Sequence, residues 1–179
     1  MKYFIATCLM LITVNAVAPV KAAAPPILPA TNAATKFVQE FYDWYLQEID
    51  KQHAESPVEY ALKTKQQLFS QKLVKALDED FAAQAKNPDY IVGIDFDPFL
   101  NAQDTCGPYK TGKVSHEGNT YRVEVWGQCS GETHGQPDVI AEIRSKNNSW
   151  TFVDFIYPGN GDLLAILQAL KKERVHPSK

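Results

Sequence analysis

The spacing of apolar side chains changes near the middle of this 179-residue chain and changes back at its end. Phe37, Phe41, Tyr45 and Ile49 recur every four residues, and Val38 and Trp44 broaden the stripe. That period predicts an amphipathic helix with an aromatic face turned to a core, capped at Asn32 or Thr35. Ser56-Pro57 followed by Glu59 marks the start of a short second helix. Ser70 precedes a third, with Leu73, Val74, Leu77 and Phe81 on one stripe and Asn87-Pro88 ending it. From there the period becomes two. Tyr121, Val123 and Val125 face one way and Arg122, Glu124 and Trp126 the other. "HEGN" and "SKNNS" supply the turns of two hairpins. Pro158 and Gly159 close the last strand, and Asp162 caps a helix over "DLLAILQALKKER" whose basic end suits a helix C-terminus. Helices, an antiparallel meander of about four strands and a C-terminal helix make an α+β fold, with the N-terminal helices packed on a curved sheet.

The first residues predict export. Lys2, an apolar run from about Phe4 to Ala18 and small residues at Ala22–Ala24 follow the order of a secretory signal peptide. The run is shorter than the roughly 20 residues of a membrane span, which weighs against an uncleaved anchor. Val20-Lys21-Ala22 predicts cleavage before Ala23. Cys8 stands near the start of the run rather than at its end, so the expectation is a periplasmic or secreted protein without a lipid anchor. The organisation expected is a signal peptide over 1–22, an extended Ala/Pro-rich leader over 23–32, one α+β domain over 33–174 and a tail over 175–179. Cleavage removes Lys2 and Lys21 and no acid, which leaves 16 basic against 21 acidic residues and a charge of −5. Such a chain lacks the basic face that nucleic acid or anionic membrane requires.

Two cysteines remain, Cys106 and Cys129. In an oxidising compartment the pair reads as a disulfide, one that contributes about 3 kcal/mol in the loop-entropy account. Two free thiols or half a zinc site is the alternative, although no Cys-x-x-Cys or His-x-x-x-His spacing accompanies it.

"FVQEFYDWYL" on the first helix, "DPFLNAQD" at the helix-to-sheet junction and "SWTFVDFIYPGNGDLLAIL" at the end resemble a bacterial family of exported and lipoprotein-type proteins, domain of unknown function 3828. The likeness covers about residues 33–171. It implies an envelope address and an architecture similar to the nuclear-transport-factor-two-like and cystatin-like folds, in which helices cover a curved antiparallel sheet. It implies no reaction, so it assigns no catalytic residue.

"GIDFDPFLNAQDTCGPYK" carries Asp95, Asp97 and Asp104 and is the first place to look for chemistry. Read as a calcium loop from Asp95, it has Phe99 and Leu100 where a ligand and a glycine belong, and Cys106 in place of the closing glutamate. No metal or cofactor is expected. An irregular calcium site or paired carboxylates for acid–base work remain the alternatives. Asp97-Pro98 favours a turn instead, with the Asp residues satisfying its backbone while Phe96, Phe99 and Leu100 enter the core. No Gly-x-Ser-x-Gly is present, and His53, His116, His134 and His176 fall in expected linker, turn, loop and tail. The long loop "GQCSGETHGQPD" carries Glu132, His134 and Asp138. A Cys106–Cys129 bridge would pin it beside the junction and assemble a surface of Asp97, Gln103, Asp104, Tyr109, Glu132 and His134. The expected function is a non-enzymatic binding module for an envelope protein or small ligand. The alternatives are an immunity or inhibitor protein that neutralises a toxin, and a small hydrolase or isomerase using Asp97 or Asp104.

Overall fold

The helix carrying the aromatic stripe is α1 (Ile27–Ile49), and the core is built against it. A computed structural model of the chain describes residues 27–51, 53–105, 107–128, 135–147 and 149–175. Val38, Phe41, Tyr42 and Tyr45 of α1 are buried, while Phe37, Trp44 and Ile49 pack half-buried at the flanks. The helix begins upstream of both predicted caps, so residues 27–32 belong to it and not to an extended leader. Pro29 permits this because it sits in the first turn, where its missing N–H has no intrahelical partner. Ala30 and Ala34 bury, and Thr35 Oγ1 donates to Thr31 O at 3.0 Å.

The next two helices start where their sequences predict. Helix α2 (Pro57–Thr64) opens on a reciprocal cap: Glu59 N donates to Ser56 Oγ at 3.3 Å and Ser56 N to Glu59 Oε2 at 3.2 Å. A 3₁₀ turn over Gln66–Leu68 leads to α3 (Gln71–Ala85), where Leu73 N donates to Ser70 Oγ at 3.3 Å.

The sheet is an antiparallel meander in the order β1 (Tyr109–Glu117), β2 (Thr120–Gly127), β3 (Val139–Lys146), β4 (Ser149–Tyr157) and β5 (Gly161–Asp162). The fifth strand is only two residues long and continues into α4 (Leu163–Val175). The described residues thus form four α-helices and a five-stranded sheet, an α+β fold. Helix α1 packs on β1 and β2, and α3 and α4 pack on β4 and on each other. Tyr121, Val123 and Val125 point inward as their alternation predicts, opposite Val139, Ala141 and Ile143 of β3.

Strand β4 departs from strict alternation. Glu142 pairs with Asp154 but Ile143 with Phe152, so Val153 is an extra residue. This bulge sends both Phe152 and Phe155 into the core and leaves Asp154 free to face α4. The two phenylalanines close an aromatic cluster around Phe41, whose ring centroid lies 4.8 Å from Phe152, 5.5 Å from Phe99 and 5.6 Å from Phe69. Such pairs each add about 0.5–1.5 kcal/mol beyond area burial.

The free edge of β1 is covered by a side chain. Gln39 of α1 donates through Nε2 to Tyr109 O at 3.0 Å, and Thr111 N donates to its Oε1 at 2.9 Å. A primary amide thereby makes the two bonds a neighbouring strand would make, which blunts an edge otherwise open to other chains. Among the described residues no helix is long and apolar enough to cross a membrane.

Candidate functional site

The junction between the helices and β1 is a single tight turn built on Asp97. Preceding a proline, Asp97 is held out of the helical region, and its Oδ1 accepts from Phe99 N at 2.8 Å and Leu100 N at 3.2 Å. Its carbonyl accepts from Asn101 N at 2.8 Å. Asn101 then adopts φ 54°, which reverses the chain so that Asp97 N reaches Ala102 O at 2.8 Å. The turn drives Phe99 and Leu100 into the core and seats Phe96 edge-on against Tyr157 at 5.6 Å.

Three tyrosine hydroxyls converge on this turn. Tyr45 Oη donates to Asp97 Oδ2 at 2.6 Å, Tyr42 Oη to Phe99 O at 2.6 Å, and Tyr157 Oη to Pro98 O at 2.8 Å. Burial raises the pKa of all three phenols well above the ordinary range, so they remain neutral donors. Burial also pushes the Asp97 carboxyl up to about 6, against the lowering effect of Tyr45 and the two backbone donors. Helical spacing alone marks Tyr45 as core, but it does not reveal that three hydroxyls meet on one turn from two distant elements.

The turn forms one wall of a cleft of about 330 Å³. The end of α1, the start of α2 and Phe81 of α3 form the other walls, with Ile49, Val58 and Phe81 facing Ile94, Phe96 and Leu100. Asp97, Gln103 and Asp104 all line it, so the structure brings these three expected site residues together. Asp95, read above as a turn residue alongside Asp97, is also at the cleft. Only Asp97 bonds the turn. Among the described residues the exposed side chains of Asp95 and Asp104 have neither a hydrogen bond nor an ion pair, which corrects the expectation that the acids of this segment are turn formers. Four hollows elsewhere are larger, about 890 and 380 Å³ between α2 and α3, about 430 Å³ between α3 and α4 and about 390 Å³ on β1–β3, and none is lined by an expected site residue.

No family model, characterised protein or solved structure matches the chain.

Tyr109 does not belong to this site. Its side chain turns into the core, stacks on Tyr42 at 6.0 Å and passes beneath Gly127, where a Cβ would stand 3.0 Å from its ring. Burial pushes its phenol up to about 12. An inward position at the first residue of β1 is what its neighbour Gly127 accommodates, and an aromatic there is core rather than surface. Cys106, Cys129, Glu132 and His134 lie outside the described residues, so the bridge and two of the six expected surface residues do too. The described ends of the 127–138 loop do meet the junction: Asn101 Nδ2 donates to Asp138 O at 3.1 Å and Gln128 N to Pro108 O at 2.9 Å.

Two further groups escape sequence reasoning. His53, expected to be solvated in a linker, stacks on Tyr60 at 3.6 Å and hydrogen-bonds through Nε2 with Glu48 Oε2 at 3.1 Å. Lys51 and His53 hold the Glu48 carboxyl below its usual range. Asp154, freed by the β4 bulge, accepts from Phe155 N at 2.8 Å and Leu164 N at 3.2 Å. Together with Asp162, which accepts from Ala165 N at 2.8 Å, it caps α4. Burial, with the Asp162 carboxyl beside it, pushes Asp154 up to about 6.

Proposed function

We propose that this chain is an exported, non-enzymatic binding protein of the bacterial envelope that takes its ligand in the junction cleft. One observation carries the reading: Asp97, Gln103 and Asp104, which belong to one short segment, line an apolar-walled cleft of about 330 Å³. That volume lies at the small end of the range of ligand sites. The exported address rests on the charged, apolar and small segments of the first 24 residues. The Cys106–Cys129 bridge is part of the same proposal. It is supported by the close approach of the residues beside the two cysteines: Gly107 has φ 56°, and a Cβ there would overlap Gln128 O.

The test is a protein-observed NMR screen of a small-fragment library, with the N-terminal mass and a non-reducing peptide map taken on protein recovered from the periplasm. Fragments that shift the amides of residues 94–105 and the start of α2 support the reading. Fragments that bind only elsewhere count against it, as does a mature protein that retains residues 1–22.

A second reading, acid–base chemistry at Asp97, is favoured by its carboxyl lying at about 6, within reach of neutral pH. Against it stand the three hydrogen bonds that occupy both of its oxygens. Turnover of chromogenic esters or glycosides that is lost in Asp97→Asn would move the assignment to this reading.

A further inference from the structure

The walls and the mouth of the junction cleft differ in chemistry, and the difference selects a ligand. Val58, Phe81, Ile94, Phe96 and Leu100 make the walls apolar. Among the described residues, the charged side chains that line the cleft are Asp95, Asp97 and Asp104, and no Lys, Arg or His lines it. Asp97 is committed to the turn and to Tyr45. Asp95 and Asp104 are exposed at the mouth and, among the described residues, have no cation or donor of their own. Glu48, Glu55, Glu79, Asp80 and Glu142 each lie within 4.0 Å of a cation, whereas exposed Asp50, Asp89 and Glu173 have none among the described residues; what distinguishes Asp95 and Asp104 is their place on an apolar cleft. Two unpaired carboxylates at the rim of an apolar hollow leave a field that a cation completes and an anion opposes.

Resting on the reading of this cleft as the binding site, we propose that its ligand is a small amphipathic amine, an alkyl or aryl body bearing one ammonium group. The body lies between Val58, Phe81 and Phe96, and the ammonium stands at the mouth between Asp95 and Asp104. The small volume favours a free amine over an extended chain. Both carboxylates are exposed, so each adds specificity and modest affinity, and the gain is screened by salt.

Three probes of one shape test this: phenethylammonium, 2-phenylethanol and 3-phenylpropanoate, each titrated into ¹⁵N-labelled protein. Phenethylammonium is expected to shift the amides of residues 94–105 and to bind roughly three- to tenfold more tightly than the alcohol. The propanoate is expected to bind weakest. Asp95→Asn/Asp104→Asn, which alters only exposed side chains, should erase the preference while the alcohol still binds. Raising salt from about 0.02 to 0.5 M should narrow the gap in the wild type alone. Equal binding of ammonium and alcohol, or a preference that survives the double substitution, overturns the amine assignment and leaves the cleft a binding site. If none of the probes shifts the cleft amides, both readings fall.

Discussion

Arg174→Met takes away the guanidinium that faces Asp80 across α3 and α4. Asp80 is buried, with its side chain 1 % exposed, and the Arg174 side chain is only 17 % exposed. Arg174 Nη1 bonds Asp80 Oδ1 and donates to Val92 O at 2.8 Å, while Asp80 Oδ2 accepts from Ile94 N at 2.9 Å. The pair therefore ties the two helices to the segment that runs into the cleft. Methionine retains much of the arginine stem's packing. The loss then consists of a charge-assisted bond of about 1.5–3 kcal/mol, a neutral bond of about 1 kcal/mol and the penalty of a carboxylate left with one donor. Breaking a buried pair from one side costs about 3–5 kcal/mol in all, a large share of the 5–15 kcal/mol typical of a domain. Gln84, whose Oε1 accepts from Val92 N and Gly93 N, still holds the loop, so a local loosening should precede global unfolding. Asp80→Asn added to Arg174→Met removes the stranded charge and keeps an acceptor for Ile94 N. It should restore about 1–3 kcal/mol of the loss. Urea melts followed by tryptophan fluorescence give both numbers, and hydrogen exchange of residues 88–96 reports the loosening. If the single variant lies within about 1 kcal/mol of wild type, or the double variant is no better than the single, the reasoning fails.

Three other outcomes are expected. Asp97 binds its proton more tightly in the fold, at about 6 against 3.8, so its contribution to stability is complete below about pH 4 and is lost as pH rises through 6. The loss is on the order of 2–3 kcal/mol. Asp154 adds a slope of the same sign, and Asp97→Asn should flatten the Asp97 share in melts at stepped pH. A Tm that rises between pH 4 and 7 in the wild type would contradict this. Gly107→Ala and Gly118→Ala both place a side chain at positive φ, but only the first meets backbone, at Gln128 O. The second should cost about 1–2 kcal/mol and the first distinctly more in paired denaturant melts. Gln39→Ala uncovers the β1 edge, and chromatography at rising concentration should show new self-association, with about 1–2 kcal/mol of lost stability.

Element type was legible wherever a period or a cap is a local property. Ser56, Ser70 and Asp162 start helices because each side chain reaches an amide three residues on. Asp97-Pro98 forms a turn for the same local reason. Residues 27–32 of the expected leader were misread because proline suggests extension, whereas in a first helical turn it breaks no bond. Tyr109 was expected on a surface that a Cys106–Cys129 bridge would assemble, and only its packing beneath Gly127 of the neighbouring strand shows where its ring goes.

The sequence by itself determined the order of helices and strands, the inward face of β2 and the turn that joins the two halves. Each follows from contacts between residues a few positions apart. The tertiary structure decided what those local rules leave open. It separated Asp97, enclosed by Tyr45 of a helix 52 residues away, from Asp95 and Asp104, which the same turn leaves in solvent. It also set Ile49, Val58 and Phe81 of three helices opposite Phe96 to make the cleft. Burial and cavity shape depend on which distant surfaces meet, and no spacing along the chain encodes that directly.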